Sequence, residues 1–343
     1  MGIKDFSKTF THTSIVTMAK LANKTIAIDA MTEIYRSALG AKSISTLTDA
    51  DGNPTMHINV VLSVIVSMHK YNIKQIWCFD SPTSNKLKAE ELDKRKQRKD
   101  AATLALAQPL ATPLTRPLSR QLIEEPLDDL TTDELITLAE TKELHTVEKK
   151  QSLEKQAFSV SSKQINEIKH ILQQLNIMYL DAPDGFEGEQ IASYLSATNQ
   201  CDGVYSADTD CIAFGASVQW RRHPRDKKIY MYTAASCMRQ MHEANPDIRP
   251  TLSNLRKACV MLGSDFAPKS HGIGPKTIFK KFDTVLTSKQ LLAIKQFEKE
   301  PGSDITVFNL TVEAFIDDKR VDLIDWLVTK KSFSRTRMDK LLK

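Results

Sequence analysis

The chain has 343 residues, 41% apolar and 26% charged, with a formal net charge of +5. These are ordinary values for a soluble globular protein with room for one large domain or two smaller ones, and the mild basicity fits nucleic acid only weakly. The longest apolar stretch, "INVVLSVIV" at 58–66, is far short of the roughly 20 residues of a membrane span. The five cysteines Cys78, Cys201, Cys211, Cys237 and Cys259 include no CxxC pair. That argues against a zinc knuckle or a disulfide framework and for a reducing, intracellular compartment, nucleus or cytoplasm. The polar start, "MGIKDFSKTF", has no signal-peptide character.

Residues 1–100 alternate strand-like and helix-like segments. "TIAIDA" (25–30) is a short apolar run containing Asp29, "HINVVLSVIVSMHKYNI" (57–73) has helical apolar spacing, and "IKQIWCFD" (73–80) is a strand ending at Asp80. Over 86–99 the chain is helix-prone and basic, with Lys86, Lys88, Lys94, Arg95, Lys96, Arg98 and Lys99. Residues 109–120, "PLAT PLTR PLSR", place a proline every four residues, which excludes a continuous helix and reads as a loose linker. An acidic stretch from Glu124 to Glu134 follows. Alternation resumes near 160: helix "SSKQINEIKHILQQLN", strand "IMYLDAP", helix "EGEQIASYLSAT", strand "DGVYSAD". The basic stretch "VQWRRHPRDKKIYMY" is hairpin-like, and helices with short loops fill 246–295.

The expected fold is therefore α/β, a central, mostly parallel twisted sheet flanked by helices. Its core comes from residues 1–100 and 160–300, with an insertion over 101–159 and a basic helical tail over 301–343.

The strand ends carry the functional signal. Three strands, at 25–29, 74–80 and 203–208, finish in aspartate, and ligand sites of parallel α/β sheets lie outside the carboxyl ends of strands. A lone strand-end aspartate commonly caps the following helix, but three together point to convergence. "VYSADTDCIAFG" adds a pair. Asp208 and Asp210, two apart in an extended segment, project to one side. At an effective dielectric near 20 their repulsion costs on the order of a few kcal/mol, so a positive charge should sit between them. Glu187 and Glu189 open the next helix back. Asp265 ends an apolar helix and is followed by "GIGPK", a Gly-x-Gly turn whose N–H groups could meet a phosphate.

In order, "MGIKDF", "AIDAMTEIY", "CFDSPTSNKLKAEELDKRKQRK", "LDAPDGFEGEQ", "ADTDCIAFG" and "LGSDFAPKSHGIGPK" resemble the motifs of the flap endonuclease family, the XPG-type structure-specific 5′ nucleases. A weaker C-terminal match, "LIDWLVTKKSFSRTRMDKLL", extends the likeness over nearly the whole chain. The resemblance implies a PIN-like nuclease core, a helical arch from the insertion, and a helix–two-turn–helix element over 255–285. It implies that Asp29, Asp80, Glu187, Glu189, Asp208, Asp210 and Asp265 hold two Mg²⁺ ions, with Mn²⁺ able to substitute. Lys88 and Arg95, two helical turns apart, would share a helix face and reach the scissile phosphate. Arg98 and Lys99 would bind DNA at the arch base, and Tyr35 would stack on a base beside the cut. Gly2 would pack near the site. Gly272, Gly274, Lys276 and Lys280 would grip duplex phosphates, often around a bound K⁺. The implied partner is branched or flapped DNA, with no small-molecule substrate, and the implied state is a monomer.

The sequence also departs from the family pattern. "PDGFE" before Glu187 is longer than the usual loop, the arch is proline-interrupted, and helix 57–70 is short of arginines. No sliding-clamp tail motif is present, so clamp recruitment is not expected, and a viral or otherwise divergent origin suits such a member. Two other readings stay open: a 5′ nuclease acting mainly on RNA, and a non-catalytic junction binder.

Overall fold

The computed structural model describes residues 2–40, 47–83, 86–107, 148–223, 226, 228–302, 305 and 317–342. Its elements, in chain order, are α1 (Phe6–Thr9), β1 (Ser14–Val16), β2 (Thr25–Asp29), α2 (Ala30–Leu39), α3 (Met56–His69), β3 (Lys74–Phe79) and α4 (Ala89–Ala107). A helix over 148–157, α5, follows. Then come α6 (Ser162–Gln174), β4 (Met178–Asp181), α7 (Gly188–Ala197), β5 (Gly203–Tyr205), α8 (Asp210–Phe214), β6 (Val218–Arg222) and β7 (Ile229–Thr233). The helices α9 (Ala234–Ala244), α10 (Leu252–Leu262), α11 (Ser288–Glu298), α12 (Asp317–Lys331) and α13 (Arg335–Leu341) complete the described chain. None of the described helices is long and apolar enough to cross a membrane.

The seven strands form one sheet in the order β1-β7-β6-β5-β2-β3-β4. From β6 to β4 neighbours run parallel, while β6, β7 and β1 pair antiparallel. The sheet is thus mostly parallel, and the hairpin expected around 218–232 is β6–β7. β1 was not expected. "SIV" is too short to read as a strand and takes its form from pairing with Met231, Tyr230 and Ile229 of β7.

Alternation on the central strands buries both faces. Ile26, Ile28, Trp77 and Phe79 pack into one core with α2, α3 and α6, while Ala27, Ile76 and Cys78 pack on the other face with α7. A further core joins Ile3, Phe6 and Phe10 to α9, α10 and α11. β3 lies on one side of β2 and β5 on the other. The carboxyl ends of β2 and β5 therefore flank the crevice where the winding reverses, the place where such sheets bind ligands.

Three boundaries differ from the sequence reading. Within the expected tail, the described residues 317–342 carry Leu323, Leu327, Met338 and Leu342 buried in the main core. An apolar stripe amid many lysines and arginines was masked by the net basic composition. Second, the expected helical filling of 246–295 is broken between α10 and α11. Gly263 ends α10 at φ 94° and Gly272 turns the chain at φ 68°, so residues between form single turns, such as Ile278 N–H to Gly274 O at 2.9 Å. Third, the chain separates into two compact units, one of residues 1–40, 48–91 and 160–343, the other of 41–47 and 92–159. The second unit thus starts within α4, ahead of the expected insertion boundary at 101. Among its described residues it holds the rest of α4, which buries Ala102, and α5. The proline tetrads and the acidic stretch lie outside the described residues.

Leu327→Ala tests the place of the C-terminal helices. The side chain is fully buried, so the variant should lose roughly 2–5 kcal/mol in urea unfolding. A change within about 0.5 kcal/mol, the surface-site range, would mean that α12 is only peripheral.

Candidate metal centre

The site is built where β2, β3 and β5 end. Asp29 closes β2 and caps α2: its Oδ1 accepts the Thr32 N–H at 3.1 Å. The capping role and the strand-end role thus coincide in one carboxylate. Asp80 follows β3, and its Oδ1 accepts the N–H of Gly188 at 2.7 Å. A Cβ on Gly188 would collide with the Cys78 carbonyl, so glycine lets α7 start hard against β3. Glu187 is the N-cap of α7 and Glu189 lies in its first turn, with the charge of Glu187 acting on Asp80.

Asp208 and Asp210 are not two positions of one extended segment. β5 ends at Tyr205, Thr209 adopts right-handed helical angles, and Asp210 is the first residue of α8. The Asp210 N–H donates to Asp208 Oδ1 at 3.2 Å. The carboxylates still converge, because a tight turn folds the chain back on itself. Oxygens of Glu189, Asp208 and Asp210 all lie within 4.8 Å of one another.

The remaining carboxylates face the same cluster. Asp29 feels the charges of Asp80 and Asp208, Asp80 that of Glu187, and both Asp208 and Asp210 that of Asp265. Glu189, Asp208 and Asp210 form the tight group, and Asp29, Asp80, Glu187 and Asp265 act on its members or on one another through their charge. Asp29, Glu189, Asp208 and Asp210 are buried, Glu187 and Asp265 are half-buried, and Asp80 is open to solvent.

Burial dominates the titration of Asp29, Glu189, Asp208 and Asp210. It pushes Asp29 up to about 7, with Asp80 and Asp208 adding to the rise. It lifts Glu189 and Asp210 well above the carboxylate range, with Asp208 as the next cause for each. Asp208 rises too, against the pull of Lys88. Asp80 is raised by the protein mass around it and by Glu187, against the Gly188 N–H and Lys88.

Lys88 answers part of this charge. It is buried, with Nζ 2.6 Å from Glu187 Oε2, 3.4 Å from Glu189 Oε1 and 4.5 Å from the Phe266 ring centroid. Burial works against its ammonium, but Glu189, Glu187 and Asp210 outweigh it and hold the pKa well above the lysine range. Lys88 lies in a 3-10 turn, Lys86–Lys88, before α4 begins at Ala89. Lys88 and Arg95 are thus not joined by one continuous α-helix, as their spacing suggested: Arg95, Arg98 and Lys99 lie on α4, in the second unit.

One ammonium leaves the cluster unbalanced. Glu189 Oε2 and both oxygens of Asp210 are buried without any hydrogen-bond partner. Orphaned anionic oxygens in an all-oxygen set are the donors that Mg²⁺, Mn²⁺ and Ca²⁺ take. The residues fit divalent cations.

Other expected site residues fall as follows. Gly2 packs on the cluster, since a Cβ there would collide with Asp208 Oδ1. The adjoining Ile3 N–H donates to Thr209 Oγ1 at 2.9 Å, and Lys4 N–H to Gly263 O at 2.8 Å. The N-terminal segment thus ties the Asp208 turn to the Asp265 loop, a tie the sequence did not reveal. Tyr35 is half-buried on α2, its hydroxyl accepting the Val160 N–H at 3.3 Å. Lys276 and Lys280 are exposed, while the ammoniums that approach Gly272 and Gly274 are those of Lys281 and Lys269. The Gly274 N–H is not free as expected: it donates to Thr277 Oγ1 at 2.9 Å. In the basic hairpin, Arg221 is a brace, donating to Ala207 O at 2.9 Å and Ser7 Oγ at 2.7 Å.

The model of the XPG N-terminal domain matches residues 1–102, and that of the XPG I-region matches residues 176–265, together more than half of the chain. The chain belongs to the XPG-type flap endonuclease family. Flap endonuclease 1 of Picrophilus torridus is 25% identical over 338 residues, covering 92% of this chain and 88% of that protein. Flap endonuclease 1 of Cryptosporidium parvum is 23% identical over 372 residues, covering 99% and 69%. Among solved structures, flap endonuclease-1 from Methanococcus jannaschii superposes with a TM-score of 0.61 at 19% identity, covering 96% of this chain and 93% of that one. The catalytic core of Rad2 with DNA substrate gives 0.61 at 16% identity, covering 99% of each. These likenesses place the fold among family nuclease cores. All seven carboxylates and Lys88 fall within the two matched regions, Asp265 as the last residue of the second.

The raised pKa of Asp29 sets a stability prediction. Its ionisation is disfavoured in the folded state, so the penalty is absent below the ordinary aspartate value and grows as pH rises toward about 7. In EDTA, the melting temperature should fall between pH 5.5 and 8, and Mg²⁺ at pH 8 should restore it. A flat profile with no metal effect would contradict a buried, cation-requiring cluster.

Proposed function

We propose that this family member is a Mg²⁺-dependent, structure-specific 5′ flap endonuclease with 5′ exonuclease activity, hydrolysing DNA near single-strand/double-strand junctions in replication, repair or recombination. The carrying observation is the buried acidic group of Glu189, Asp208 and Asp210, with orphaned oxygens on Glu189 and Asp210 and buried Lys88 against Glu189. The carboxylates would hold two divalent cations, Mg²⁺ by its preference for oxygen, with Mn²⁺ able to replace it. Such cations, when bound, supply Lewis-acid stabilisation of a phosphate and a more acidic attacking water.

The chain's own groups then divide the work. Asp29, Asp80, Glu187, Glu189, Asp208, Asp210 and Asp265 would neutralise and orient the cations. The Lys88 ammonium, pinned by Glu187 and Glu189, is pre-set to meet charge developing on the scissile phosphate, without reorganisation when it forms. Arg95 would add a second positive charge, and Arg98 and Lys99 would bind strand phosphates. The Tyr35 ring, held through its hydroxyl, would stack on a base regardless of its identity.

Lys276 and Lys280 with the Gly272–Gly274 turn would grip duplex phosphate, with K⁺ at that turn, and such contacts select shape rather than sequence. Because the Gly274 N–H is already used, the lysines carry more of this grip than the turn's backbone. We assign the protein to a reducing intracellular compartment, a reading supported by five free, buried cysteines, and to action as a monomer.

A labelled double-flap duplex with Mg²⁺ should be cut near the flap junction. Asp208→Ala should abolish cutting while leaving DNA binding in Ca²⁺ largely intact, and Lys88→Ala should lower kcat about 10²–10³-fold, the range for losing one pre-aimed charge donor. No incision by the wild type on any branched DNA would defeat the proposal. Faster cutting of a matched RNA flap would reassign the substrate to RNA.

A further inference from the structure

We propose that Ser206 and Gln219 are positioning residues that fix Asp29 and Asp208 relative to one another, so that carboxylates from two strands aim at shared cations. The inference rests on the metal-dependent reading above.

Ser206 is the first residue beyond β5 and extends the ladder by one bond, its N–H donating to Trp220 O at 3.2 Å. Its hydroxyl, 1% exposed as a residue, then does two things. It donates to Asp29 Oδ2 at 2.9 Å and accepts the Asp208 N–H at 3.0 Å. A serine hydroxyl has one proton, so giving it to Asp29 leaves the lone pairs for Asp208. With Thr32 N–H on Oδ1, both oxygens of Asp29 are tied, and the plane of its carboxylate is fixed as well as its place. β2 and β5 are adjacent parallel strands, Ile28 opposite Tyr205. One buried hydroxyl therefore spans the two strand ends that flank the crevice.

Past Ser206 the ladder stops, and the carbonyls of Ser206 and Asp208 face protein. Gln219, on β6 opposite Val204, supplies the missing donor. Its Nε2 donates to Ser206 O at 3.2 Å and to Asp208 O. Gln219 is fully buried, yet its Oε1 has no partner. An unmatched buried oxygen is unfavourable, but an apolar residue here would leave both carbonyls without a donor. What the carboxamide adds is a fixed path for the turn carrying Asp208 and Asp210. Outer groups of this kind orient metal-binding carboxylates and commonly change affinity 10–100-fold when removed.

The test measures Mn²⁺ binding by titration calorimetry without DNA, alongside melting in EDTA. Ser206→Ala and Ser206→Cys should weaken Mn²⁺ binding about 10–100-fold, with metal-free melting near wild type. Ser206→Thr, which keeps the hydroxyl, should restore binding, and Gln219→Met, which leaves the Ser206 and Asp208 carbonyls without their donor, should weaken binding and lower the metal-free melting temperature. Wild-type affinity in folded Ser206→Ala or Ser206→Cys, or equal losses in Ser206→Thr, would overturn the proposal. Unfolding of both Ser206→Ala and Ser206→Cys would also overturn it, by making the hydroxyl a folding element. A wild type that binds no Mn²⁺ would overturn the metal-dependent reading itself, a result distinct from all the others.

Discussion

Like charges buried together are the constraint on which the rest of this molecule turns. Asp29, Glu189, Asp208 and Asp210 sit almost entirely out of water, within reach of three more acids, and Lys88 is the buried ammonium set among them. Such a cluster is tolerable only if protons, an ammonium or metal cations answer its charge. The raised pKa values express the first answer, Lys88 the second, and the orphaned oxygens of Glu189 and Asp210 call for the third.

The fold holds the cluster by using strand ends and helix starts as rigid mounts. Asp29 and Asp80 leave adjacent parallel strands, Glu187 and Glu189 open a helix brought close by Gly188, and Asp210 opens another. The N-terminal segment then pins the Asp208 turn through Thr209 and the Asp265 loop through Gly263. Residues from the first ten positions to beyond 260 thus meet in one place, so the site depends on completion of the whole sheet rather than on any local motif.

Much of this was legible in the sequence because apolar runs ending in aspartate report both a parallel strand and its functional end. What was not legible depended on pairing or on turns. "SIV" becomes β1 only because β7 offers it an edge. Lys88 was placed on a helix face by assuming unbroken helix across 88–95, whereas the chain enters α4 through a 3-10 turn. The spacing of Asp208 and Asp210 suggested extended backbone, and their repulsion is real, but a turn brings them together. Ser206 and Gln219 are ordinary polar residues beside apolar strands, and only their contacts mark them. The core role of α12 and α13 was hidden by the basic residues around their apolar stripe.

The central claim is that these carboxylates share divalent cations. A crystal soaked in Mn²⁺, read by anomalous diffraction, tests it most directly. The account predicts two peaks within bonding distance of oxygens drawn from Asp29, Asp80, Glu187, Glu189, Asp208, Asp210 and Asp265. An ordered cluster with no peak would contradict it.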